Sequence, residues 1–296
     1  MAFDAFTPRV TTKDQSESAP GGRLWTPWRM RYVTGGAREN GCLFCNRLEA
    51  GDDDEASLIL HRGDRAFIIM NLFPYSTGHV MIVPNDHVAT PEDLDSETTN
   101  AMAGLRAPLL RALRRVLTPD GFNLGLNIGA AAGAGVTDHL HEHVVPRWLG
   151  DANFMPVTAG TTVMPELVAV TYAKLRPEIA RELEGSLACA ALILSREGGL
   201  VLFDEEGRLP AIAAIAGEPL WKTVGREAER LGAIRPEVAG WTDTTIATAG
   251  VGAVVLTTDL LEGNGLHGLG QIRHLDQIAD PDLQAWIKER SDQTRR

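Results

Sequence analysis

Three histidines at alternate positions mark the segment His139-Leu140-His141-Glu142-His143-Val144-Val145. Side chains two residues apart on a β-strand share a face, so the pattern predicts a strand with three imidazoles about 7 Å apart along one side. Such a row is poor core material, because every ring carries nitrogens that need partners. It suits phosphate chemistry, in which imidazole is a nucleophile, a proton donor or a cationic clamp. A zinc ligand set, or the polar face of an edge strand, gives the same pattern.

Length and composition limit the class of protein. A chain of 296 residues with 44% hydrophobic residues predicts two globular domains. A formal net charge of −11 argues against an electrostatic nucleic-acid binder, and a site for an anionic substrate would have to be locally positive. No apolar run reaches the roughly 18 residues of a membrane helix, and the N-terminus has no secretory apolar region. With only three cysteines, the sequence predicts a cytoplasmic protein without membrane or nucleic-acid partners.

The N-terminal part contains one motif with chemical meaning. Residues 1–22 are polar and end in Ala-Pro-Gly-Gly, which predicts a disordered leader, and residues 24–32 form an aromatic and basic arm. Cys42 and Cys45 form a C-x-x-C pair. In a cytoplasmic protein this spacing indicates half of a zinc site, with a redox pair as the alternative.

Strand and helix patterns surround the histidine segment. Strands are predicted at 57–61, 66–71, 79–84 and 122–128, and a helix at 94–117 from its apolar spacing. A second helix is predicted at 164–184. The loop 129–135 consists of glycine and alanine, so its backbone amides could approach a ligand closely, although a flexible connection has the same composition.

Residues 24–184 resemble the histidine triad superfamily of nucleotidyl hydrolases and transferases. The resemblance rests on the motif at 139–145, on Gly78-His79 in the preceding strand, and on Asn71 and Asn127-x-Gly129 at matching spacing. Residues 24–30 and 146–154 are most similar to the bacterial diadenosine tetraphosphate phosphorylase branch. The implied fold is α+β, an antiparallel sheet with two main helices, as a domain at 23–184. The superfamily is commonly homodimeric, so a homodimer is expected.

The resemblance implies covalent catalysis. His141 would attack the α-phosphorus of a nucleotide, with its other ring N–H held by a main-chain carbonyl, and His143 and His79 would bind oxygens or protonate the leaving group. It implies that the substrate is contacted by Asn71, Asn127, Gly129, Gly135 and Thr137. The loop lacks the side chain with which many members contact phosphate, and backbone donors or Thr137 are the expected substitutes. The triad itself needs no catalytic metal. Glu142 stands in a usually hydrophobic position and is expected to change what packs behind the strand.

The resemblance also implies a structural zinc ion. Some bacterial members bind zinc through a C-x-x-C pair, a histidine eight residues after the fourth histidine, and the first triad histidine. These positions are Cys42, Cys45, His87 and His139, a closed tetrahedral donor set. Two free thiols near a histidine are the alternative.

Residues 185–296 predict a smaller α/β domain. Strands are expected at 187–194, 200–203 and 251–257, and helices at 217–232 and 276–289. The segment 225–232 faintly resembles a degenerate Nudix box that is one residue short; an unrelated α/β module is the alternative. His267 and His274 are expected to be structural.

These observations predict an enzyme that cleaves dinucleoside polyphosphates, by hydrolysis or phosphorolysis. A nucleoside phosphoramidate hydrolase would use the same histidines. A nucleotide-binding scaffold whose C-terminal domain docks a partner would not need His141 as a nucleophile. A third hypothesis places a Mg²⁺-dependent pyrophosphatase in the C-terminal domain, with Glu227 and Glu229 as metal ligands.

Overall fold

The fold is described from a computed structural model, which covers residues 40–51, 54–151, 166–186, 188–195, 200–203, 209–242, 253–259 and 271–274. The predicted leader, the arm at 24–32, the final helix at 276–289 and His267 lie outside these residues. No helix of the described part is long and apolar enough to cross a membrane.

The first sheet has five antiparallel strands in the order β1-β2-β3-β5-β4. Its strands are β1 (Ile59–Arg62), β2 (Ala66–Met70), β3 (Val80–Pro84), β4 (Gly121–Leu126) and β5 (Glu142–Arg147). The helices of this half are α1 (Leu43–Glu49), α2 (Asp54–Ser57), α3 (Ser96–Leu117) and α4 (Val168–Leu183), with 3-10 turns at Pro91–Asp93 and Ala130–Ala132. The predicted α+β fold with an antiparallel sheet and two main helices is confirmed.

Helix α3 follows the prediction closely, because its ends carry strong signals. Asp95 caps the N-terminus by accepting a hydrogen bond from the amide of Thr98 at 2.6 Å. Thr118 ends the helix in the left-handed conformation, directly before Pro119. The buried face of α3 contributes Leu109 and Leu113 to the main core.

The two faces of the first sheet are buried in different ways. Alternate residues such as Val80, Ile82 and Val144 pack with α3 and α4 in the main core. Residues on the opposite face, among them Met81, pack in a smaller cluster with Phe44 of α1. The histidines lie on this second face, since His143 is paired with Met81 across β3 and β5.

The prediction of a single strand carrying all three histidines is wrong in part. Strand β5 begins at Glu142, so His139 and His141 precede it. Continuing the register with β3 would pair Leu140 with Pro84, which has no N–H to donate. The amide of Leu140 instead donates to the carbonyl of Val88 at 2.6 Å.

The second sheet is mixed, in the order β11-β7-β6-β10-β9, with β8 paired to β6. Its elements are β6 (Ala188–Ser195), β7 (Leu200–Phe203), β8 (Ala211–Ala213), α5 (Leu220–Arg230), β9 (Ile234–Thr242), β10 (Ala253–Asp259) and β11 (Gln271–His274). Strands β8, β9 and β11 were not predicted. The α/β character expected for this region is present; the likeness to a Nudix domain, and the domain boundary at 184/185, stay predictions.

Helix α4 belongs to the packing of both sheets. It contacts α3 and β1 of the first half and β9 and α5 of the second. Glu178, fully buried on α4, accepts a hydrogen bond from Arg115 of α3 at 2.7 Å and one from the amide of Leu220 at 2.6 Å. One carboxylate therefore joins the helix of the first half to the first turn of α5.

Candidate active site and metal centre

Period-two alternation brings the polar groups of the candidate active site to one face of the first sheet. His79 lies two residues before Met81 and Asn71 two residues after Ile69, and both Met81 and Ile69 face the smaller cluster. Asn127 likewise follows Gly125, which is paired with His143. The side chains of Asn71, His79, Asn127 and His143 thus reach the same face, the first three from positions next to β2, β3 and β4 and the last from β5.

His141 has the orientation that nucleophilic attack requires. Its Nδ1 lies 2.9 Å from the carbonyl oxygen of His139 and donates to it, so the lone pair is on Nε2. The predicted main-chain partner of this ring is therefore present. Burial lowers the pKa of His141 below its usual value, partly opposed by the carbonyl of His139, and keeps the ring neutral. The Phe44 ring packs against it, with centroids 5.1 Å apart.

His79, His143 and Asn127 form a connected group beside His141. His79 Nε2 lies 2.9 Å from His143 Nδ1, and His143 Nε2 lies 3.4 Å from the side-chain amide of Asn127. The rings of His141 and His143 are 4.9 Å apart. Burial, with the neighbouring histidines, lowers the pKa of His79 to about 3 and that of His143 to about 4. Both rings are therefore neutral at pH 7.

The glycine-rich loop offers fewer backbone donors than its composition indicates. The amides of Ala132, Gly133 and Ala134 already donate to carbonyls within the loop. Gly129 and Gly133 have positive φ values of 75° and 82°. Gly135, the last residue of the loop, and Thr137, two residues after it, are exposed. The roles of Gly129, Gly135 and Thr137 in substrate binding stay predictions.

Behind the strand, Glu142 faces away from the histidines. Its carboxylate is buried and accepts two hydrogen bonds from Nε of Arg106 on α3, each at 3.0 Å. This agrees with the expectation that Glu142 alters the packing behind β5 and leaves the reactive face unchanged.

Cys42, Cys45, His87 and His139 converge on one point, with one ligand atom from each lying within 4.8 Å of the others. Cys42 Sγ is 3.2 Å from His139 Nδ1, and Cys45 Sγ is 3.4 Å from His87 Nδ1. Bonds of about 2.0–2.3 Å in a tetrahedron place ligand atoms roughly 3.3–3.8 Å apart, so this donor set fits Zn²⁺.

The surroundings of the two histidines also suit a metal. His139 donates from Nε2 to the carbonyl of Pro84 at 2.9 Å, which leaves the Nδ1 lone pair facing the thiols. His87 Nε2 lies 3.8 Å from the carboxylate of Asp138. Such outer contacts orient metal-binding histidines. Burial and the neighbouring Cys42 raise the pKa of Cys45 to about 11, so a cation would be needed to stabilise the Cys45 thiolate.

Arg62 is a residue of this region that the sequence did not reveal. Its guanidinium donates to the carbonyls of Leu48 and Gly51 at 2.7 and 2.9 Å and to Asp54 at 2.6 Å. Arg62 thereby holds the C-terminal end of α1, the helix on which Cys45 lies. An arginine at the end of a strand has no local signal for this long-range role.

Glu227 and Glu229 do not form a metal site. Two residues apart on α5, they point about 200° apart around the helix axis. Glu227 is engaged by Arg230 in an ion pair. In the part of the chain that the structure describes, the Cys₂His₂ cluster is the group with metal-ligand spacing.

These features describe an α+β protein with a neutral, oriented imidazole beside a Cys₂His₂ cluster. The HIT domain model matches residues 53–148. The AP-4-A phosphorylase of Mycobacterium tuberculosis is 39% identical over 167 residues, which cover 54% of this chain and 85% of that protein. The adenylylsulfatase HINT3 of Arabidopsis thaliana is 34% identical over 110 residues, or 37% of this chain and 53% of that protein.

A crystal structure of a Zn-bound histidine triad family protein from Mycobacterium smegmatis aligns with a TM-score of 0.40 and 27% identity, over 49% of this chain and 97% of that one. The sequence similarity to the M. tuberculosis protein settles the family. The chain belongs to the histidine triad (HIT) family of nucleotide-processing enzymes and is most like its AP-4-A phosphorylase branch.

Gly78, the residue before His79, is closely packed, and its replacement tests how much this packing contributes to stability. Gly78 has a φ of 76°, and an added Cβ would overlap Leu117 and lie 3.4 Å from Pro146. Gly78→Ala should therefore cost about 1–3 kcal/mol of unfolding free energy more than Gly51→Ala. Gly51 has a similar φ of 81° but no atom within 4 Å of an added Cβ, so its loss reports the backbone strain alone. Urea denaturation measures both variants, and equal losses would show that the close packing at Gly78 is unimportant.

Proposed function

We propose that this protein cleaves dinucleoside polyphosphates of the diadenosine tetraphosphate type through a nucleotidyl intermediate on His141. The carrying observation is the hydrogen bond from His141 Nδ1 to the carbonyl of His139, which leaves the Nε2 lone pair for attack. The similarity to a protein named AP-4-A phosphorylase supports this substrate class and favours phosphate as the second nucleophile.

In the proposed reaction, His141 Nε2 bonds to the α-phosphorus while the bond to the leaving polyphosphate oxygen breaks. The positive charge that develops on the imidazole is shared with Nδ1–H, whose partner is the carbonyl of His139. His143 faces the reacting phosphate as a hydrogen-bond donor, and Asn71 is proposed to contact the ribose. Phosphate or water then attacks the same phosphorus and releases the nucleotide from His141.

The test is incubation with diadenosine tetraphosphate with and without phosphate, followed by separation of the products. ADP plus ATP, appearing only with phosphate, identifies phosphorolysis. AMP plus ATP in its absence identifies hydrolysis.

His141→Ala should lower turnover by about 10³-fold or more, since the covalent step is lost. His61→Ala is the control, because His61 pairs with Glu184 outside the site. Full turnover by His141→Ala would refute the covalent mechanism, whereas a wild-type protein that cleaves nothing would favour the scaffold hypothesis.

We propose that Cys42, Cys45, His87 and His139 hold a structural zinc ion. When bound, zinc would fix α1 and the residue before it against the segment that precedes β5. No step of the reaction is assigned to zinc.

Metal analysis of the purified protein should find about one zinc per chain. Cys45→Ser should lose most of it and lower the melting temperature, because a ligand is removed. Cys189→Ser, at a buried position away from the cluster, should keep the metal. A wild-type protein that stays metal-free after incubation with zinc would contradict the assignment.

We propose a homodimer formed through β4. In the described part of the chain, β4 pairs with β5 and its other edge has no strand partner. Three apolar side chains on and after it are exposed, namely Leu124 at 40%, Leu126 at 37% and Ile128 at 45%. A second copy would pair the edge and cover these side chains.

Light scattering after size exclusion should give the mass of two 32.0 kDa chains. Leu124→Lys should reduce it to that of a monomer, whereas Leu149→Lys, at an exposed position outside β4, should not. A monomeric wild-type protein at micromolar concentration would refute the dimer. Location in the cytoplasm stays a prediction from the sequence.

A further inference from the structure

Cys42 and Cys45 lie close enough together to form a disulfide bond. Cys42 is the N-cap residue of α1, and Cys45 stands in the first turn of that helix. Their sulfurs lie 3.2 and 3.6 Å from the same atom, Nδ1 of His139. Residues three apart in a helix have Cα atoms about 5 Å apart, inside the range of about 4.4–6.8 Å that disulfides span. A rotation of the Cys42 side chain, which precedes the helix, could therefore bring the two sulfurs into bonding distance.

The cysteine pair is open to small molecules on the side of His87. Both cysteines are half-buried, and the side chain of His87 is 46% exposed. Cys45 is the cysteine on this open side, because its sulfur lies 3.4 Å from Nδ1 of His87. Cys189, in contrast, is fully buried in the main core. A small oxidant can therefore reach Cys45 while Cys189 is protected.

The turn between the two cysteines carries a ring that packs on the proposed nucleophile. Phe44 stands between Cys42 and Cys45 and is 2% exposed. The centroid of its ring lies 5.1 Å from that of His141 and 5.3 Å from that of His139. A disulfide would tighten the turn in which Phe44 stands. The change would therefore reach the His141 ring through one direct contact.

His139 forms a second connection between the cysteine pair and His141. Its Nδ1 faces both sulfurs, and its main-chain carbonyl accepts the hydrogen bond from Nδ1 of His141 at 2.9 Å. The ring of His139 is otherwise held by the hydrogen bond from its Nε2 to the carbonyl of Pro84. Loss of the sulfurs as zinc ligands would thus leave His139 held on one side only, and the acceptor of His141 would be less firmly placed.

We propose that Cys42 and Cys45 are an oxidation site, at which a hydroperoxide forms a disulfide, releases zinc and slows nucleotidyl transfer to His141. This inference rests on the proposed zinc site and on the proposed function, neither of which assigns a redox role to the cysteines. The sulfurs of a disulfide are neutral and bind Zn²⁺ poorly, so two of the four ligands are lost together. Reduction restores both thiols, and the change is therefore reversible.

The oxidation removes two electrons from the pair of sulfurs. The Cys45 thiolate attacks the terminal oxygen of the hydroperoxide, the O–O bond breaks, and the other oxygen leaves with the electron pair and takes up a proton as an alcohol or as water. The Cys42 thiolate then attacks the sulfur of the Cys45 sulfenic acid, the S–S bond forms, and hydroxide leaves and is protonated to water. Two thiolates, one hydroperoxide and two protons thus give a disulfide, an alcohol or water, and a further water.

The test treats the zinc-loaded wild-type protein with a small molar excess of hydrogen peroxide and follows thiols, zinc and histidines together. Alkylation and mass spectrometry should show Cys42 and Cys45 joined and Cys189 still free. A chromogenic chelator should detect about one zinc ion released for each disulfide formed. The ¹⁵N NMR signals of His141 should shift, because both of its connections to the cysteine pair change. Zinc that stays bound, or sulfinic acids without a disulfide, would overturn the proposal.

Turnover of diadenosine tetraphosphate gives a second readout. It should fall at least about tenfold on oxidation, since a displacement of about 1 Å at a reacting group can cost roughly 10²-fold. Dithiothreitol with zinc should restore it, which separates a disulfide from sulfinic and sulfonic acids. Cys189→Ser should respond as the wild type does. Cys42→His is the matched control, because it keeps four zinc ligands but cannot form the disulfide, and its zinc and turnover should withstand peroxide.

The outcomes separate this inference from the proposed function. A disulfide that leaves turnover and the His141 signals unchanged overturns the inference, even though the tetraphosphate is cleaved. A reduced, zinc-loaded protein that cleaves no tetraphosphate refutes the proposed function, while a disulfide, released zinc and shifted His141 signals support the oxidation site alone. If Cys42→His does not bind zinc, the thiol, zinc and NMR measurements on the wild type still decide.

Discussion

The main-chain carbonyl of His139 is the group on which the site depends. It accepts a hydrogen bond from Nδ1 of His141 and so leaves the lone pair of that ring on Nε2, the atom proposed to attack phosphorus. The side chain of the same residue turns toward Cys42 and is held from behind by the carbonyl of Pro84. The orientation of the His141 ring and the Cys₂His₂ cluster therefore share one residue. Anything that moves His139 moves the hydrogen-bond acceptor of His141, so a metal ion at the cluster would influence the proposed reaction without contact with the substrate.

Much of this site could be predicted from the sequence, because residue spacing determines which side chains share a strand face. The alternation at 139–145 and the histidine before β3 led to the correct cluster of rings, and the spacing of Cys42 and Cys45 led to the correct neighbours. The start of β5 could not be predicted in this way, since it depends on Pro84 lying opposite Leu140. The hydrogen bonds from the main chain to these side chains could not be predicted either. The amide of Phe73 donates to Asn71 Oδ1 and the amide of Tyr75 donates to His79 Nδ1, and residue types do not reveal such main-chain partners.

The second half of the chain was harder to predict for a similar reason. Strand β9 contains Pro236 and Gly240 and a left-handed Arg235, which weaken the usual alternation, and its irregular pairing with β10 is visible only in the fold. Helices with clear apolar periodicity, such as α5, were located to within a few residues.

Helix α4 makes the two halves depend on each other through Glu178. Its carboxylate has one oxygen on Arg115 and the other on the amide of Leu220, and it has no exposure to solvent. A carboxylate in this position is tolerated only while both partners remain. Exchanging residues 185–296 for an unrelated module would thus leave a buried anion with an unsatisfied oxygen, unless the newcomer brought an N–H to the same place. Residues 185–296 thus contribute, through the first turn of α5, an N–H group that completes the interior between α3 and α4.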